Sequence, residues 1–181
     1  MNIGGGFPVA YESGESLPAY QDFADALAPI LREYQVLLEP GRSIVADAGI
    51  LLTEVLYVKE QAGHRFVIVD ASMTELMRPA LYGAKHQIIP VKVTHSEPTP
   101  AQVVGPVCET TDVIGEDVLL PRVQPGDLLA ILTAGAYGMV MSSNYNARPR
   151  PAEVVVSSDG ESWQITRQRE TWEDLLRGEL E

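Results

Sequence analysis

Three consecutive glycines are the first candidate for a binding function. Gly4, Gly5 and Gly6 follow what reads as the end of a strand and precede a predicted helix. Glycines in this position let backbone N–H groups approach a phosphate, and a helix N-terminus behind them adds a favourable partial charge. A tight turn without a ligand also explains such a run, because glycine often serves only as a turn residue.

A carboxylate and a guanidinium lie within four residues in the segment Glu39-Pro40-Gly41-Arg42. The segment follows an apolar run, residues 36–38, which we interpret as a buried strand. The C-terminal ends of such strands carry the active-site loops of α/β barrels, so we expect Glu39 and Arg42 to lie at the same face as the glycines. The alternative is an exposed turn with an ion pair of little energetic consequence.

Three further segments contain candidate binding or catalytic side chains. Arg78 and Tyr82 are four residues apart and could present a planar guanidinium and a phenol to one carboxylate. Cys108 and Glu109 follow an apolar strand, and Tyr137 lies in a glycine-rich loop. Each has an ordinary alternative: a solvated arginine, a packing tyrosine, a buried cysteine or a flexible loop.

Composition limits the classes of partner. The chain has 181 residues, of which 45% are hydrophobic, enough for one core or for one domain and part of another. Its 13 basic and 25 acidic residues give a net charge of −12, which disfavours nucleic acid and anionic membranes as partners. The single cysteine favours a reducing compartment. Without an apolar run of about 20 residues or a signal peptide, we predict a soluble cytoplasmic protein.

An α/β unit is predicted at the N-terminal end. Residues 17–34 form an amphipathic helix in this interpretation, with Pro29 at a kink or boundary. The apolar side chains at helical spacing are Leu17, Phe23, Ala26, Leu27, Ile30 and Leu31. Glycine loop, helix, buried strand and turn together make one unit of a parallel α/β layer.

After Arg42 the sequence changes to short segments rich in Val, Ile, Leu and Thr. They cover residues 50–58, 65–70, 87–93, 102–107, 127–132, 152–157 and 163–169. Their spacing predicts an antiparallel β domain, closed by a short helix over residues 169–176. The polar segment 142–151 reads as an ordered connection. We place the domain boundary near residues 42–48, giving an α/β segment of residues 1–44 and a β domain of residues 45–181.

Together these motifs resemble the second half of the diaminopimelate decarboxylase family. GGGF, EPGR, DASM with RPALY, GPVCE, GDLL, GAYG and SNYNARPRPAEV occur in that family's order and approximate spacing, along essentially the whole chain. The resemblance implies the last elements of a (β/α)8 barrel that binds pyridoxal 5'-phosphate (PLP), followed by a β-sandwich or barrel domain. It also implies a homodimer whose active sites are shared between subunits.

The resemblance implies a role for each candidate residue, and none for a metal. On the cofactor side, Gly4, Gly5 and Gly6 would hold the phosphate, Gly41 and Arg42 would line the phosphate and substrate side, Glu39 would face the pyridine nitrogen, and Tyr137 would touch cofactor and substrate. On the substrate side, Arg42, Arg78 and Tyr82 would bind the distal carboxylate, Glu109 would bind the distal ammonium, and Cys108 would donate a proton in the partner subunit's site.

These residue types suit the conversion of meso-2,6-diaminopimelate to L-lysine and CO2. Loss of CO2 leaves a carbanion, and PLP stabilises it only while its ring nitrogen stays protonated, which a carboxylate such as Glu39 favours. Reprotonation needs an acid, and thiols are mostly protonated at neutral pH, which suits Cys108. The distal end of this substrate is a zwitterion. Arg78 and Glu109 would bind it, whereas ornithine and arginine have no distal carboxylate.

The family's Schiff-base lysine has no counterpart among the three lysines of this sequence. Lys59, Lys85 and Lys92 lie in or beside predicted β-domain strands, where solvated strand-edge charges are the simpler interpretation. We therefore expect no decarboxylase activity from this polypeptide alone. Two alternatives stay open: a non-catalytic fragment or subunit that pairs with a lysine-bearing chain, and a decarboxylase of the same fold that acts on another basic amino acid.

Overall fold

Helices and one isolated strand bridge form the N-terminal part of the protein, before the first strand of the sheet. The computed structural model describes residues 1–179. Helix α1 spans Tyr20–Leu31, helix α2 spans Gly41–Val45, and a 3-10 turn follows at Ala46–Ala48. The helix predicted over residues 17–34 is present with shorter ends, and Pro29 lies inside it.

The apolar face of helix α1 is only partly covered. The ring of Phe7 packs edge-on against Tyr20 and Phe23, with centroid distances of 5.3 and 5.1 Å. No residue of α1 is fully buried. A groove of about 500 Å³, lined mainly by apolar side chains that include Leu27 and Leu31, runs beside the helix. The amphipathic pattern is therefore real, but much of its apolar face stays open within the described part of the chain.

One local prediction for this segment is wrong. Residues 36–38 do not form a buried strand: among residues 1–179, one parallel bridge between Asn2 and Leu37 is their only strand pairing. The side chains of Leu37 and Leu38 are 58% and 49% exposed, because no described strand flanks them on the other side. The predicted helix does follow the glycines, but it begins at Tyr20, and a proline-containing loop separates it from Gly6.

The larger part of the protein is a six-stranded mixed sheet. Its strands are β1 (Leu51–Gln61), β2 (His64–Val69), β3 (Ile88–Pro90), β4 (Thr99–Val104), β5 (Val113–Leu120) and β6 (Leu128–Ile131). Their order across the sheet is β3-β6-β1-β2-β4-β5. The edge strands β3 and β5 approach each other, since a Cβ placed on Gly115 would lie 3.0 Å from Cδ1 of Ile88. The sheet thus curls into a nearly closed, barrel-like fold.

The strand directions correct the expectation of an antiparallel domain. Strands β2 and β4 run parallel, with Val67 opposite Val103, while all other neighbouring pairs of this sheet are antiparallel. A parallel pair needs a crossover of about a dozen residues or more. Residues 70–98 provide it and contain helix α3 (Arg78–Tyr82) and strand β3. The spacing of strands along a sequence does not reveal this direction.

The sequence does not predict strand β5. Gly115, Glu116 and Asp117 interrupt its apolar residues in the way that a turn would. In the structure the strand continues through them, with irregular register against β4 and a positive φ of 50° at Asp117. A local irregularity in the pairing thus accommodates a turn-like sequence inside a strand.

The main core lies inside the curled sheet. Val55, Val67, Val103, Leu129 and Ile131 are fully buried there, at inward-facing positions of four strands. All seven predicted strand segments are present, with ends that differ by at most three residues. The last two form a separate hairpin, β7 (Glu153–Val156) with β8 (Trp163–Arg167), and helix α4 (Trp172–Leu176) follows. In the described residues, no helix has the length and apolarity that a membrane crossing needs.

Candidate active site

The glycines and the Glu39 segment lie together. The N–H of Glu39 donates to the carbonyl of Gly4 over 2.8 Å. Asn2 links the two segments, because its Nδ2 donates to the Glu39 carboxylate over 2.6 Å and its Oδ1 accepts from the Gly4 N–H over 2.8 Å. A Cβ on Gly5 would lie 2.2 Å from the carbonyl oxygen of Glu39, so this approach requires glycine.

The backbone around these glycines borders open space. Gly4 and Gly6 have positive φ angles of 73° and 89°, a conformation that favours glycine. No heavy atom would lie within 4 Å of a Cβ at either position, nor at Gly41. The guanidinium of Arg42 is nearby, with its Nη2 3.4 Å from the carbonyl of Phe7. Backbone amides and one cation could therefore bind an anionic group at this surface.

The loop that carries Tyr137 packs against the turn after helix α2. The N–H of Gly135 donates to the carbonyl of Ala46 over 2.9 Å. A Cβ on Gly135 would lie 2.0 Å from the carbonyl oxygen of Val45, so glycine is required at this contact too. A small apolar core of Val9, Ala46 and Ala136 supports the contact. The turn after helix α2 therefore helps to position the loop that carries Tyr137.

Arg78 lies in a cage of three tyrosine rings. Its guanidinium carbon is 5.0 Å from the ring centroid of Tyr11, 5.8 Å from that of Tyr82 and 5.3 Å from that of Tyr137, all within the range of cation–π attraction. Arg78 is 8% exposed, and its Nε has no hydrogen-bond partner. Among residues 1–179 no carboxylate pairs with it. A buried cation without a counter-ion is costly, so the cage suits an external anion.

His86 supports one wall of this cage. Its ring packs edge-on against Tyr11 at a centroid distance of 4.9 Å. Its Nδ1 lies 2.9 Å from the carbonyl of Leu132, which can only accept, so Nδ1 carries the hydrogen and Nε2 is bare. Burial lowers the pKa of His86 below its usual 6.5, and the charge of Arg78 lowers it further, against the opposing effect of the Leu132 carbonyl. The imidazole is therefore neutral at neutral pH.

Cys108 and Glu109 lie in the short loop between β4 and β5. The side chain of Cys108 is exposed. The Glu109 carboxylate accepts from the N–H of Thr110 over 2.9 Å and from the hydroxyl of Tyr145 over 3.5 Å. Within this chain, Glu109 is thus oriented by its own loop and by the polar segment 142–151.

Two arginines of the polar segment 142–151 hold it against the rest of the chain. Arg148 donates to the carbonyl of Asp70 over 2.6 Å, and its Nε lies 3.6 Å from the carboxylate of Glu75. Arg150 donates through its side chain and its backbone N–H to Glu170. These two contacts lower the pKa of Glu170 to about 2. The segment that the sequence indicates only as an ordered connection therefore joins the crossover to the residues before helix α4.

The candidate residues fall into three groups in space. The first contains Gly4, Gly5, Gly6, Glu39, Gly41 and Arg42, the second Arg78, Tyr82 and Tyr137, and the third Cys108 and Glu109. No hydrogen bond or ion pair within residues 1–179 joins Cys108 or Glu109 to the other two groups. Arg78 and Glu109 therefore do not form an ion pair within this chain.

All three lysines are exposed and lie in or beside strands of the sheet. Lys59 lies in β1, and its Nζ is 5.4 Å from the ring centroid of Phe66. Lys85 and Lys92 flank the edge strand β3. Among the described residues, β1 pairs with β6 only over residues 51–54, so at Lys59 it pairs with β2 alone and its other edge is open. The strand-edge interpretation therefore fits all three lysines. None of the three belongs to the three groups of candidate residues.

Sequence reasoning missed three residues that shape these groups. Tyr11 and His86 form part of the Arg78 cage, yet no spacing rule connects them with Arg78. Their proximity arises only from the packing of the N-terminal loop on the sheet. Asp112, which is 3% exposed, lies behind the Cys108 loop. Its signal in the sequence is weak, because an Asp after a short loop is an ordinary turn residue.

A family model, curated relatives and solved structures that are similar to this chain all belong to pyridoxal-dependent decarboxylases. The family model described as "Pyridoxal-dependent decarboxylase, C-terminal sheet domain" matches residues 18–135. A diaminopimelate decarboxylase of Aquifex aeolicus is 44% identical over 183 residues, which cover 100% of this chain and 43% of that protein. The chain thus spans less than half the length of this relative.

Two solved structures show different degrees of similarity. Diaminopimelate decarboxylase from Helicobacter pylori, complexed with L-lysine, matches with a TM-score of 0.87 at 44% identity, covering 97% of this chain and 43% of that chain. Lysine/ornithine decarboxylase from Vibrio vulnificus, complexed with cadaverine, matches with a TM-score of 0.72 at 30% identity. The match covers 82% of this chain and 42% of that chain. By its sequence and its curled mixed sheet, this chain belongs to the family of pyridoxal-dependent decarboxylases and contains their C-terminal sheet domain.

Proposed function

We propose that this chain is the C-terminal portion of a cytoplasmic diaminopimelate decarboxylase, which converts meso-2,6-diaminopimelate to L-lysine and CO2. The observation that carries the proposal is the state of Arg78. Its guanidinium is buried among three tyrosine rings and pairs with no carboxylate of the described residues. A substrate with a distal carboxylate would supply the missing counter-ion, with the phenol of Tyr82 beside it.

The residues present fit PLP as the cofactor. Gly4, Gly5 and Gly6 would hold its phosphate, since Gly4 and Gly6 combine left-handed backbone with open space and Gly5 packs their loop against Glu39. Arg42 and Gly41 would line the same side. Glu39, oriented by Asn2, would face the ring nitrogen and favour its protonated form. PLP, when bound, supplies an electron-withdrawing ring that takes up the charge left at Cα when CO2 departs.

The protein's own residues would then select and protonate the substrate. Arg78 and Tyr82 would bind the distal carboxylate, Glu109 would bind the distal ammonium, and Tyr137 would contact cofactor and substrate. The Cys108 thiol would donate a proton to Cα after CO2 leaves. Within residues 1–179, Cys108 and Glu109 form no hydrogen bond or ion pair with the other two groups, and Cys108 is exposed. Both observations support a site completed by a second subunit, to which these two residues are contributed.

The weaker similarity to lysine/ornithine decarboxylase supports diaminopimelate over another basic amino acid. TM-score and identity both fall, from 0.87 and 44% to 0.72 and 30%. The exposed positions of Lys59, Lys85 and Lys92 support a cofactor lysine outside this chain. The functional unit is therefore this chain combined with a barrel half that carries the cofactor lysine, here called the assembled enzyme.

A substitution at Glu109 tests the assignment. In the assembled enzyme, Glu109→Ala should raise KM for diaminopimelate about 10-fold or more, because the distal ammonium loses a charged partner, while PLP affinity stays unchanged. The matched control is Glu116→Ala, which removes an exposed carboxylate of strand β5 and should leave KM unchanged. Equal loss of substrate and PLP binding in Glu109→Ala would contradict the assignment.

A further inference from the structure

The loop between β4 and β5 carries two candidate active-site residues and contains no helix or strand of its own. Cys108 and Glu109 are both exposed. A short exposed loop ordinarily moves more than the strands that flank it. A residue that donates a proton to one carbon atom must nevertheless be held within a narrow range of positions. Some feature of the loop must therefore restrain it.

The side chain of Asp112 provides this restraint from inside the loop. Its Oδ2 accepts from the N–H of Val107 over 2.8 Å, directly before Cys108. Its Oδ1 accepts from the N–H of Met73 over 2.7 Å. One carboxylate thus fastens the loop to the crossover segment, whose neighbouring side chains Ser72, Thr74 and Glu75 are also buried and joined by hydrogen bonds.

The backbone of Asp112 closes the same loop. Its carbonyl accepts from the N–H of Gly105 over 3.0 Å, and its N–H donates to the carbonyl of Glu109 over 3.1 Å. A Cβ on Gly105 would lie 2.3 Å from Oδ2 of Asp112, so glycine is required for the carboxylate to reach its position. Every hydrogen-bonding group of Asp112 is therefore directed at the loop or at the segment that the loop packs on.

Burial makes this arrangement costly for a carboxylate. Asp112 is 3% exposed, and burial raises its pKa above the ordinary value of 3.8, while the N–H groups of Met73 and Val107 oppose the rise. An apolar residue or an amide at this position would avoid that cost. A carboxylate, unlike an amide, offers a separate acceptor oxygen to each of the two N–H groups.

We propose that Asp112 is a positioning residue, whose carboxylate fixes the Cys108–Glu109 loop by accepting hydrogen bonds from Val107 and Met73. The proposal rests on the proposed function in its consequence for catalysis, since Cys108 and Glu109 are assigned there. The restraint on the loop can be measured without activity. In the 181-residue chain, the amides of Val107 and Met73 should exchange with solvent as slowly as the strand amides of β4.

The decisive variant is Asp112→Asn, which keeps the shape but replaces one acceptor oxygen with an N–H2 donor. The amide of Val107 or Met73 should then exchange about 10-fold faster or more, the factor that corresponds to losing a hydrogen bond to a charged group. Buried strand amides such as that of Val67 should be unchanged. The control is Asp117→Asn. Asp117 is an exposed carboxylate that accepts from the Gln102 side chain over 2.8 Å, and its replacement should leave both loop amides protected.

In the assembled enzyme, Asp112→Asn should lower kcat about 10-fold or more and leave PLP affinity unchanged, because the thiol is less well placed. Unchanged protection of both amides in Asp112→Asn would overturn the proposal, and so would equal loss of protection throughout the sheet. If the variant does not fold, rapid exchange of Val107 and Met73 in the wild-type chain would overturn it. Failure of the proposed function has a different signature, namely no decarboxylation by the wild-type assembled enzyme, whatever the exchange rates.

Discussion

Substitution of Gly5 by alanine tests whether the glycine surface is built as described. A Cβ at this position would lie 2.2 Å from the carbonyl oxygen and 3.1 Å from the carbonyl carbon of Glu39. Ordinary contact begins at 3.4 Å, so the two segments must separate by about 1.2 Å, since 3.4 − 2.2 = 1.2. The obstacle is backbone, which cannot swing aside as a flexible side chain would.

The expected cost follows from two effects. Overpacking of this kind costs about 1–3 kcal/mol. The separation also stretches the 2.8 Å hydrogen bond from the Glu39 N–H to the Gly4 carbonyl, and its loss costs about 1 kcal/mol. A total of about 2–4 kcal/mol corresponds to a fall in Tm of roughly 4–16 °C for a chain of this size.

Thermal unfolding of the 181-residue chain measures this effect. Gly41→Ala is the matched control: it makes the same change at the start of helix α2, where no atom lies within 4 Å of the added Cβ. Its Tm should stay the same or rise slightly, because alanine favours the helix. Exchange of the Glu39 amide should accelerate only in Gly5→Ala. Equal Tm values for the two variants, with equal protection of that amide, would refute the described contact.

Two further predictions concern stability. Glu170 has a folded-state pKa of about 2 against an ordinary 4.5, so its contribution to the free energy of unfolding is present above pH 4.5 and is lost as pH falls through 2. Glu170→Gln should remove this part of the pH dependence of the free energy of unfolding, measured by urea titrations at several pH values. An unchanged pH dependence would contradict the pairing with Arg150. Tyr11→Phe should leave the free energy of unfolding unchanged or slightly raised, because the buried hydroxyl has no partner, whereas Tyr11→Leu should lower it by about 1–2 kcal/mol through loss of the ring over Arg78. Equal stability of the Phe and Leu variants would show that this ring contributes nothing.

Strand positions were predictable from the sequence, but strand directions were not. Alternating apolar residues and turn residues locate seven of the eight strands, because these patterns are local. The missing strand, β5, contains Gly115 and Asp117, and its identity depends on pairing with β4. The parallel pairing of β2 with β4 depends on the route of residues 70–98, which no local pattern encodes. Tertiary pairing decides both features.

In the candidate site, too, local spacing predicts some neighbours, and the others are brought together only by the tertiary fold. Arg78 and Tyr82 share one turn of helix α3, so their spacing predicts that they lie together. The cage around Arg78 also needs Tyr11 and Tyr137, which come from loops more than a hundred residues apart in the sequence. The roles of these residues in binding remain predictions, whereas the cage itself is a property of the fold.

The substrate selectivity of the assembled enzyme tests the central claim most directly, namely that Arg78 binds a distal carboxylate. The measurement is kcat/KM for meso-diaminopimelate and for lysine, which lacks that carboxylate, in the wild type and in Arg78→Gln. We predict that the variant loses about 10- to 150-fold in kcat/KM for diaminopimelate and little for lysine. An unchanged ratio of the two kcat/KM values would contradict the account.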